Sequence, residues 1–127
     1  MKIGNFNLDK DSIYIIAQLS ANYNENLQNA LDTIRAAKEI GANAIKLQTY
    51  RADTMTLNSK NPDFMIDGGT LWDGKNLYEL YEEAYTPWEW HKELFDYARS
   101  INIDIFSTPF DKSAVDFLEQ FNPSAYK

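Results

Sequence analysis

Short apolar runs alternate with helical patterns along this chain. Residues 13–17, 44–48 and 103–106 are brief runs rich in β-branched residues, and Ala125-Tyr126 opens a fourth. Runs of this length are typical of strands in a buried parallel sheet. The opening stretch, residues 2–8, has little helical character and predicts one additional short strand.

Apolar residues at helical spacing predict the elements between these strands. The stripe Leu27, Ala30, Leu31, Ile34 predicts a helix that ends near Gly41, which suits a left-handed residue after a helix. A short amphipathic helix is expected over residues 76–84, and a third helix from about Asp111. Between them, the pattern His91, Leu94, Phe95, Ala98 predicts a helix with Thr86 as N-cap, Pro87 at its first position and Glu89 in a capping box.

Successive strand–helix units predict an α/β fold with a parallel sheet and crossover helices. Three such units and a fourth strand correspond to the N-terminal half of a TIM (β/α)8 barrel, which needs about 250 residues. We therefore expect residues 1–127 to be the N-terminal portion of a barrel that ends at its fourth strand. A small open α/β sheet, complete as it stands, is the alternative. Turn-forming residues over 51–74 predict a long loop, and loops of this length are more often functional than idle.

Composition excludes several classes of function. The chain has 12 Lys and Arg against 19 Asp and Glu, a net charge of −7, which argues against nucleic-acid binding. It has no Cys, so disulfides and thiolate metal sites are excluded. No apolar run approaches the ~20 residues of a membrane span, and the N-terminus lacks the pattern of a signal peptide. We expect a cytoplasmic protein with no membrane partner.

Polar residues at the expected strand ends predict an anion site. Lys46 interrupts an apolar strand, and alternation places it on the same face as Gln48. Ser107 and Thr108 add hydroxyl donors, and Lys127 adds a second cation. Because active sites of parallel α/β folds lie at the C-terminal ends of strands, these groups predict a phosphate or carboxylate site. An edge strand whose Lys46 faces solvent is the alternative.

Other candidate features favour structural roles. His91 is the only histidine, and its place on the apolar face of a helix, away from any strand end, predicts a packed or partly exposed residue. No His, Asp or Glu cluster has metal-ligand spacing, so we expect no metal site within this chain. Glycine-rich phosphate loops of either common pattern are also missing from the sequence.

Five ordered segments resemble the N-acetylneuraminate (sialic acid) synthase family. They are I-I-A-Q-L-S-A-N-Y at 15–23, G-A-N-A-I-K-L-Q-T at 41–49, F-S-T-P-F-D at 106–111, V-D-F-L at 115–118 and P-S-A-Y-K at 123–127. The stretch from Gly68 to His91 is most similar to the pseudaminic acid synthase branch. The resemblance implies a TIM barrel followed by a small antifreeze-like domain, outside this chain, that reaches the partner's site in a homodimer.

The family's chemistry supplies the functional expectation. Its members condense phosphoenolpyruvate with an open-chain acetamido sugar to give a nonulosonic acid and phosphate, with Mn²⁺ or Mg²⁺ polarising the aldehyde. By position, the resemblance implies that Lys46, Ser107, Thr108 and Lys127 bind phosphoenolpyruvate. It places Asn22, Tyr23, Gln48 and Thr49 beside the sugar, and it gives Gln18, Lys46 and Gln48 catalytic positions. The family's metal ligands lie beyond Lys127, so we expect a full-length parent to be an enzyme and this chain alone to be inactive.

Two departures from the family keep alternatives open. Gln18 replaces a glutamate and Tyr23 replaces a histidine, and an amide cannot act as a general base. One alternative is therefore a non-catalytic half-barrel relative that binds a sugar acid or docks onto a partner subunit. A second is a phosphoenolpyruvate aldol enzyme acting on a phosphorylated sugar. The segments Y-E-L-Y-E-E-A and T-P-W-E-W-H argue against that second alternative.

Overall fold

A parallel three-stranded sheet covered on one face by helices forms the centre of the computed structural model. The structure describes residues 1–4, 6–9, 13–19 and 23–127. The strands are β1 (Lys2–Ile3), β2 (Phe6–Asn7), β3 (Ile16–Gln18), β4 (Ala44–Thr49) and β5 (Asp104–Pro109). The helices are α1 (Leu27–Glu39), α2 (Ala52–Met55), α3 (Leu77–Ala84), α4 (His91–Ser100) and α5 (Lys112–Glu119). Short 3-10 turns occupy Tyr23–Glu25, Pro62–Phe64 and Trp88–Trp90.

The sheet has the order β3-β4-β5, with both pairs of strands parallel. Lys46 of β4 is level with Gln18 of β3 on one side and with Phe106 of β5 on the other. Tyr126 forms an isolated parallel bridge to Ser107, at the place where the sequence predicts a fourth strand. The parallel sheet with crossover helices agrees with the predicted α/β class.

The core lies between the sheet and the helices. Ile45 and Leu47 of β4 are fully buried, and they share a cluster with Ile34 of α1, Phe95 of α4 and Leu118 of α5. Because alternate residues of a strand point to opposite faces, this packing turns Lys46 and Gln48 away from the helices. We call the face that carries Gln18, Lys46, Gln48, Phe106 and Thr108 the inner face. Within the described residues, no helix is long and apolar enough to cross a membrane.

Helix boundaries follow local capping. The side chain of Asn26 caps α1 by accepting from two backbone N–H groups, and Gly41 follows the helix with a φ of 94°, as predicted. Asp111 caps α5, also at the predicted position, and accepts from the Ala114 N–H at 3.0 Å. Asn76 and Glu79 form a reciprocal capping box at the start of α3.

Three predicted elements differ from the structure. The N-terminal stretch forms an antiparallel hairpin of β1 and β2, not one strand. The first core strand is Ile16–Gln18, whereas Ile13 is 76% exposed and lies outside the sheet. The helix expected from Thr86 begins with the 3-10 turn Trp88–Trp90. Pro87 stands before that turn with a ψ of 130°, outside the helical range, so no side-chain cap forms.

The long segment between β4 and α3 is partly ordered by its own hydrogen bonds. It contains α2 and a 3-10 turn, which the sequence did not predict. Met65 forms an antiparallel bridge to Asn76, and the Ile66 N–H donates to the Lys75 carbonyl at 3.0 Å. Inside the closed turn, the Asp73 carboxylate accepts from the backbone N–H groups of Gly69 and Thr70. The segment is therefore a loop that follows the C-terminal end of β4 and is closed by its own hydrogen bonds.

Candidate functional site

The inner face brings a buried cation to the middle of the sheet. Lys46 is only 7% exposed, and among the residues that the structure describes no carboxylate lies within ion-pair distance of its ammonium group. Burial lowers the pKa of Lys46 below its ordinary value, and the positive charge of Lys127 lowers it further. An unpaired buried cation is costly, and pairing with an anion would remove that cost.

Thr108 adds a hydrogen-bonding group without a protein partner. It stands level with Gln48 on the neighbouring strand, so both project from the inner face. The Thr108 hydroxyl is buried, yet no hydrogen-bond partner for it lies in the described part of the chain. Buried polar groups are nearly always paired, so an unpaired one at a strand end indicates a position that a ligand or water fills.

Lys127 reaches the same region through the backbone of β5. Its N–H donates to the carbonyl of Ser107 at 3.3 Å, beside the bridge between Tyr126 and Ser107. The effect of its charge on the pKa of Lys46 indicates that the two ammonium groups share one region. Two cations, a hydroxyl and an amide together can bind a ligand with more than one anionic group.

The structure separates Ser107 and Thr49 from these groups. Both are fully buried on the helix-facing side of the sheet, and their hydroxyl oxygens lie 2.7 Å apart. Thr49 shares its face with Ile45 and Leu47, so the alternation that places Gln48 on the inner face turns Thr49 away from it. The sequence predicts that these two side chains contact ligand. In the structure they are buried behind the inner face instead.

The segment that follows β3 is only partly described. Asn22 lies outside the described residues. Tyr23 begins a left-handed turn with a φ of 52°, and its ring packs on the hydrophobic core. Burial raises the pKa of the Tyr23 hydroxyl, which has no hydrogen-bond partner in the part of the chain that the structure describes. Gln18, by contrast, is exposed on the inner face beside Lys46.

His91 lies closer to the strand ends than the sequence predicts. Its packing is confirmed, because the side chain is fully buried. The expectation that it lies away from any strand end is wrong, because its Nε2 is 2.8 Å from the hydroxyl oxygen of Thr49, the last residue of β4. A buried threonine and a buried serine at helix-facing positions need a polar partner. That need is the feature of the sequence that indicates a polar side chain, here His91, beside them.

A separate groove opens at the opposite end of the strands. It has a volume of about 450 Å³ and is lined in part by Tyr14, Lys38, Arg99 and Asp104. The Tyr14 hydroxyl donates to the Asp104 carboxylate at 2.7 Å, and burial and this carboxylate raise the pKa of Tyr14. In barrels the N-terminal ends of the strands serve stability, and this groove lies at that end.

The residues available here do not fit a metal ion. Across residues 1–4, 6–9, 13–19 and 23–127, no group of three or more His, Asp or Glu side chains could hold one. The inner face itself offers cations, an amide and a hydroxyl, which repel a metal or bind it weakly.

Comparisons with known proteins identify relatives of this chain. The chain is 56% identical over its full length to pseudaminic acid synthase of Campylobacter jejuni, covering 36% of that protein. It is 53% identical to pseudaminic acid synthase of Helicobacter pylori over 89% of this chain and 33% of the relative. The crystal structure of spore coat polysaccharide biosynthesis protein SpsE from Bacillus subtilis matches with a TM-score of 0.70 and 32% identity, over 99% of this chain and 32% of that one.

These matches confirm the predicted fold class, an α/β half barrel. The chain spans about a third of the length of these relatives. The NeuB family matches residues 33–127, and the resemblance noted in the sequence is thereby confirmed. Since the matched residues make up most of the sequence, the chain belongs to the NeuB family.

Proposed function

We propose that this chain supplies the phosphoenolpyruvate-binding part of a synthase. The reaction joins phosphoenolpyruvate to an acetamido-deoxy sugar and releases a nonulosonic acid of the pseudaminic type and phosphate. The observation that carries the proposal is the buried, unpaired Lys46 on the same face as the unpaired Thr108 hydroxyl. The names of the relatives, pseudaminic acid synthase in two cases, support the substrate class.

The charges of the inner face suit this substrate. Phosphoenolpyruvate carries a phosphate and a carboxylate on adjacent positions of a three-carbon unit. Lys46 and Lys127 would neutralise these two groups, and the Thr108 hydroxyl would donate to one of their oxygens. Neutralisation would also remove the cost of the buried, unpaired ammonium, so binding energy is concentrated at Lys46.

The chain's residues would bind and orient the reactants. The reaction forms a bond from C3 of phosphoenolpyruvate to the aldehyde carbon of the sugar. Water then adds at C2, and phosphate leaves with cleavage of the C–O bond. Fixed cations stabilise the anionic groups throughout, and Gln48, level with Thr108, would hydrogen-bond to the sugar. The resemblance to the family implies a divalent metal, which would polarise the aldehyde, but the described residues form no site for one.

The test uses the full-length protein that carries this chain. Phosphoenolpyruvate with ¹⁸O at the bridging position is incubated with a panel of acetamido-deoxy hexoses. We expect ¹⁸O in the released phosphate, which reports C–O cleavage, together with a nonulosonic acid detected by mass spectrometry. Lys46→Gln should abolish turnover and Lys112→Gln should not, because Lys112 pairs with Asp116 on the exposed side of α5. Phosphate without ¹⁸O, or turnover in Lys46→Gln, would contradict the proposal.

A second candidate function rests on Gln18. An amide beside Lys46 cannot take a proton from water, so a member that binds phosphoenolpyruvate or a sugar acid without turnover is the alternative. Thermal stabilisation of the full-length protein by phosphoenolpyruvate, with no product from any sugar in the panel, would favour this function. For the 127-residue chain alone we expect no phosphate release above background.

A further inference from the structure

A buried hydrogen-bonded cluster links helix α4 to the ends of two strands. The Nε2 atom of His91 is 2.8 Å from the Thr49 hydroxyl oxygen, which is 2.7 Å from the hydroxyl oxygen of Ser107. All three side chains are fully buried. We call these residues the strand-end cluster. Such a cluster in a hydrophobic layer holds its members in one arrangement, because breaking any bond leaves a buried polar group unpaired.

The direction of each hydrogen bond is fixed by one backbone carbonyl. The carbonyl of Pro87 lies 3.2 Å from Nδ1 of His91 and can only accept, so Nδ1 carries the proton. Nε2 is then an acceptor, and the Thr49 hydroxyl donates to it. The same hydroxyl oxygen accepts from Ser107. The chain of donors therefore runs from β5 through β4 to α4 without an alternative arrangement.

Burial among aromatic rings keeps the imidazole of His91 neutral. The ring of Phe117 meets His91 edge-on at 5.2 Å, and that of Phe121 stacks at 6.4 Å, measured between ring centroids. Burial lowers the pKa of His91 to about 4, so the ring is neutral near neutral pH.

Each strand member of the cluster is joined to a residue of the inner face. Thr49 directly follows Gln48, and Ser107 directly precedes Thr108. The Ser107 carbonyl also accepts from the N–H of Lys127. Because successive strand residues point to opposite faces, fixing Thr49 and Ser107 against α4 fixes Gln48 and Thr108 toward the ligand. The cluster thus connects three of the proposed ligand-binding residues to one histidine.

We propose that His91 is a positioning residue for phosphoenolpyruvate. It acts on the inner face through Thr49 and Ser107, which lie behind that face. This inference rests on the proposed function. His91 would transfer no proton and contact no ligand. Its role is to set the distance between the ends of β4 and β5, on which binding of phosphoenolpyruvate between Lys46, Thr108 and Lys127, beside Gln48, depends.

Two substitutions at His91 separate positioning from mere packing. A glutamine places its side-chain oxygen near the position of Nε2 and can still accept from Thr49. An asparagine places its polar end near Nδ1, so it keeps a donor for Pro87 but leaves the Thr49 hydroxyl without an acceptor. In the full-length protein we expect His91→Asn to raise KM for phosphoenolpyruvate about tenfold and lower kcat/KM by roughly 10- to 100-fold. His91→Gln should restore KM to within about threefold of wild type.

A purely structural role gives a different result. Ile34→Ala removes fully buried packing in α1, outside the strand-end cluster, and should lower kcat only in proportion to the folded fraction, with KM unchanged. If His91→Asn behaves like Ile34→Ala, the inference is overturned while the proposed function stands. If the wild-type protein shows no phosphoenolpyruvate-dependent turnover, both are overturned. Should His91→Asn not fold, Thr49→Val removes the hydrogen bond to His91, together with that to Ser107, at nearly constant shape and carries the same expectations.

Discussion

Acidification should destabilise this protein through the imidazole of His91. In the folded chain the ring packs against Phe117 and Phe121 and is kept neutral by its burial, and its Nε2 accepts a hydrogen bond from Thr49. Unfolding releases the ring into water, where it binds a proton readily. Replacing His91 by glutamine removes the titrating group and keeps an acceptor for Thr49, so the difference in pH dependence between the two proteins isolates this side chain.

The magnitude follows from the two pKa values. Burial lowers the pKa of His91 from 6.5 to about 4. Because the folded pKa lies below the unfolded one, the stabilising contribution is complete above pH 6.5 and is lost as the pH falls toward 4. The loss amounts to about 1 kcal/mol at pH 5.5 and roughly 2–3 kcal/mol at pH 4.5, at about 1.36 kcal/mol per pKa unit. Its full extent is roughly 3 kcal/mol, a large share of a typical folding free energy.

Urea unfolding followed by tryptophan fluorescence measures this effect. The free energy of unfolding of the wild-type protein and of His91→Gln is determined at pH 7.5, 6.5, 5.5 and 4.5. The wild-type curve should fall more steeply, with the difference opening below pH 6.5. Parallel curves across this range would refute the reasoning, because they would mean that His91 binds its proton equally well in the folded and unfolded protein.

Three further predictions concern other residues. Lys46→Met should raise the free energy of unfolding by roughly 1 kcal/mol in denaturant titrations, and phosphoenolpyruvate should no longer raise the melting temperature; a less stable variant that still responds to phosphoenolpyruvate would contradict this. Asn76→Ala should cost about 1–2 kcal/mol of stability, because it removes the capping box with Glu79; a neutral effect in the same titration would mean that the box contributes nothing. Gln18→Glu should raise turnover, measured as phosphate release, since it places a carboxylate beside Lys46; unchanged turnover would show that glutamine is suited to this site.

The sequence was sufficient to predict the inner face, because two simple regularities determine it. Apolar runs gave β4 and β5, and alternation placed Lys46 and Gln48 on one side. The same parity assigns Thr49 to the side of Ile45 and Leu47, and Ser107 to the side of Ile105. Parity therefore places the side chains of Thr49 and Ser107 behind the inner face, although both residues stand at strand ends.

The location of His91 could not be read from helical spacing. Spacing shows which side of α4 meets the sheet, but it does not show how far along the strands each residue lies. That distance depends on where the helix starts, and the helical turns start later than the sequence predicts. Thr86 and Glu89 fit the composition of a capping box, yet Pro87 takes an extended ψ, so the helical turns begin at Trp88.

The bridge between Met65 and Asn76 has a consequence for how this protein can diversify. This bridge joins the residues on either side of the turn formed by residues 67–73. The two ends of the turn are therefore held together by residues outside it. Doubling the length of a loop with fixed ends costs only about 0.6 kcal/mol. Insertions and deletions at residues 67–73 therefore leave β4, α3 and the capping box in place. The protein can therefore vary the length and sequence of this turn without altering the strands that carry Lys46 and Thr108.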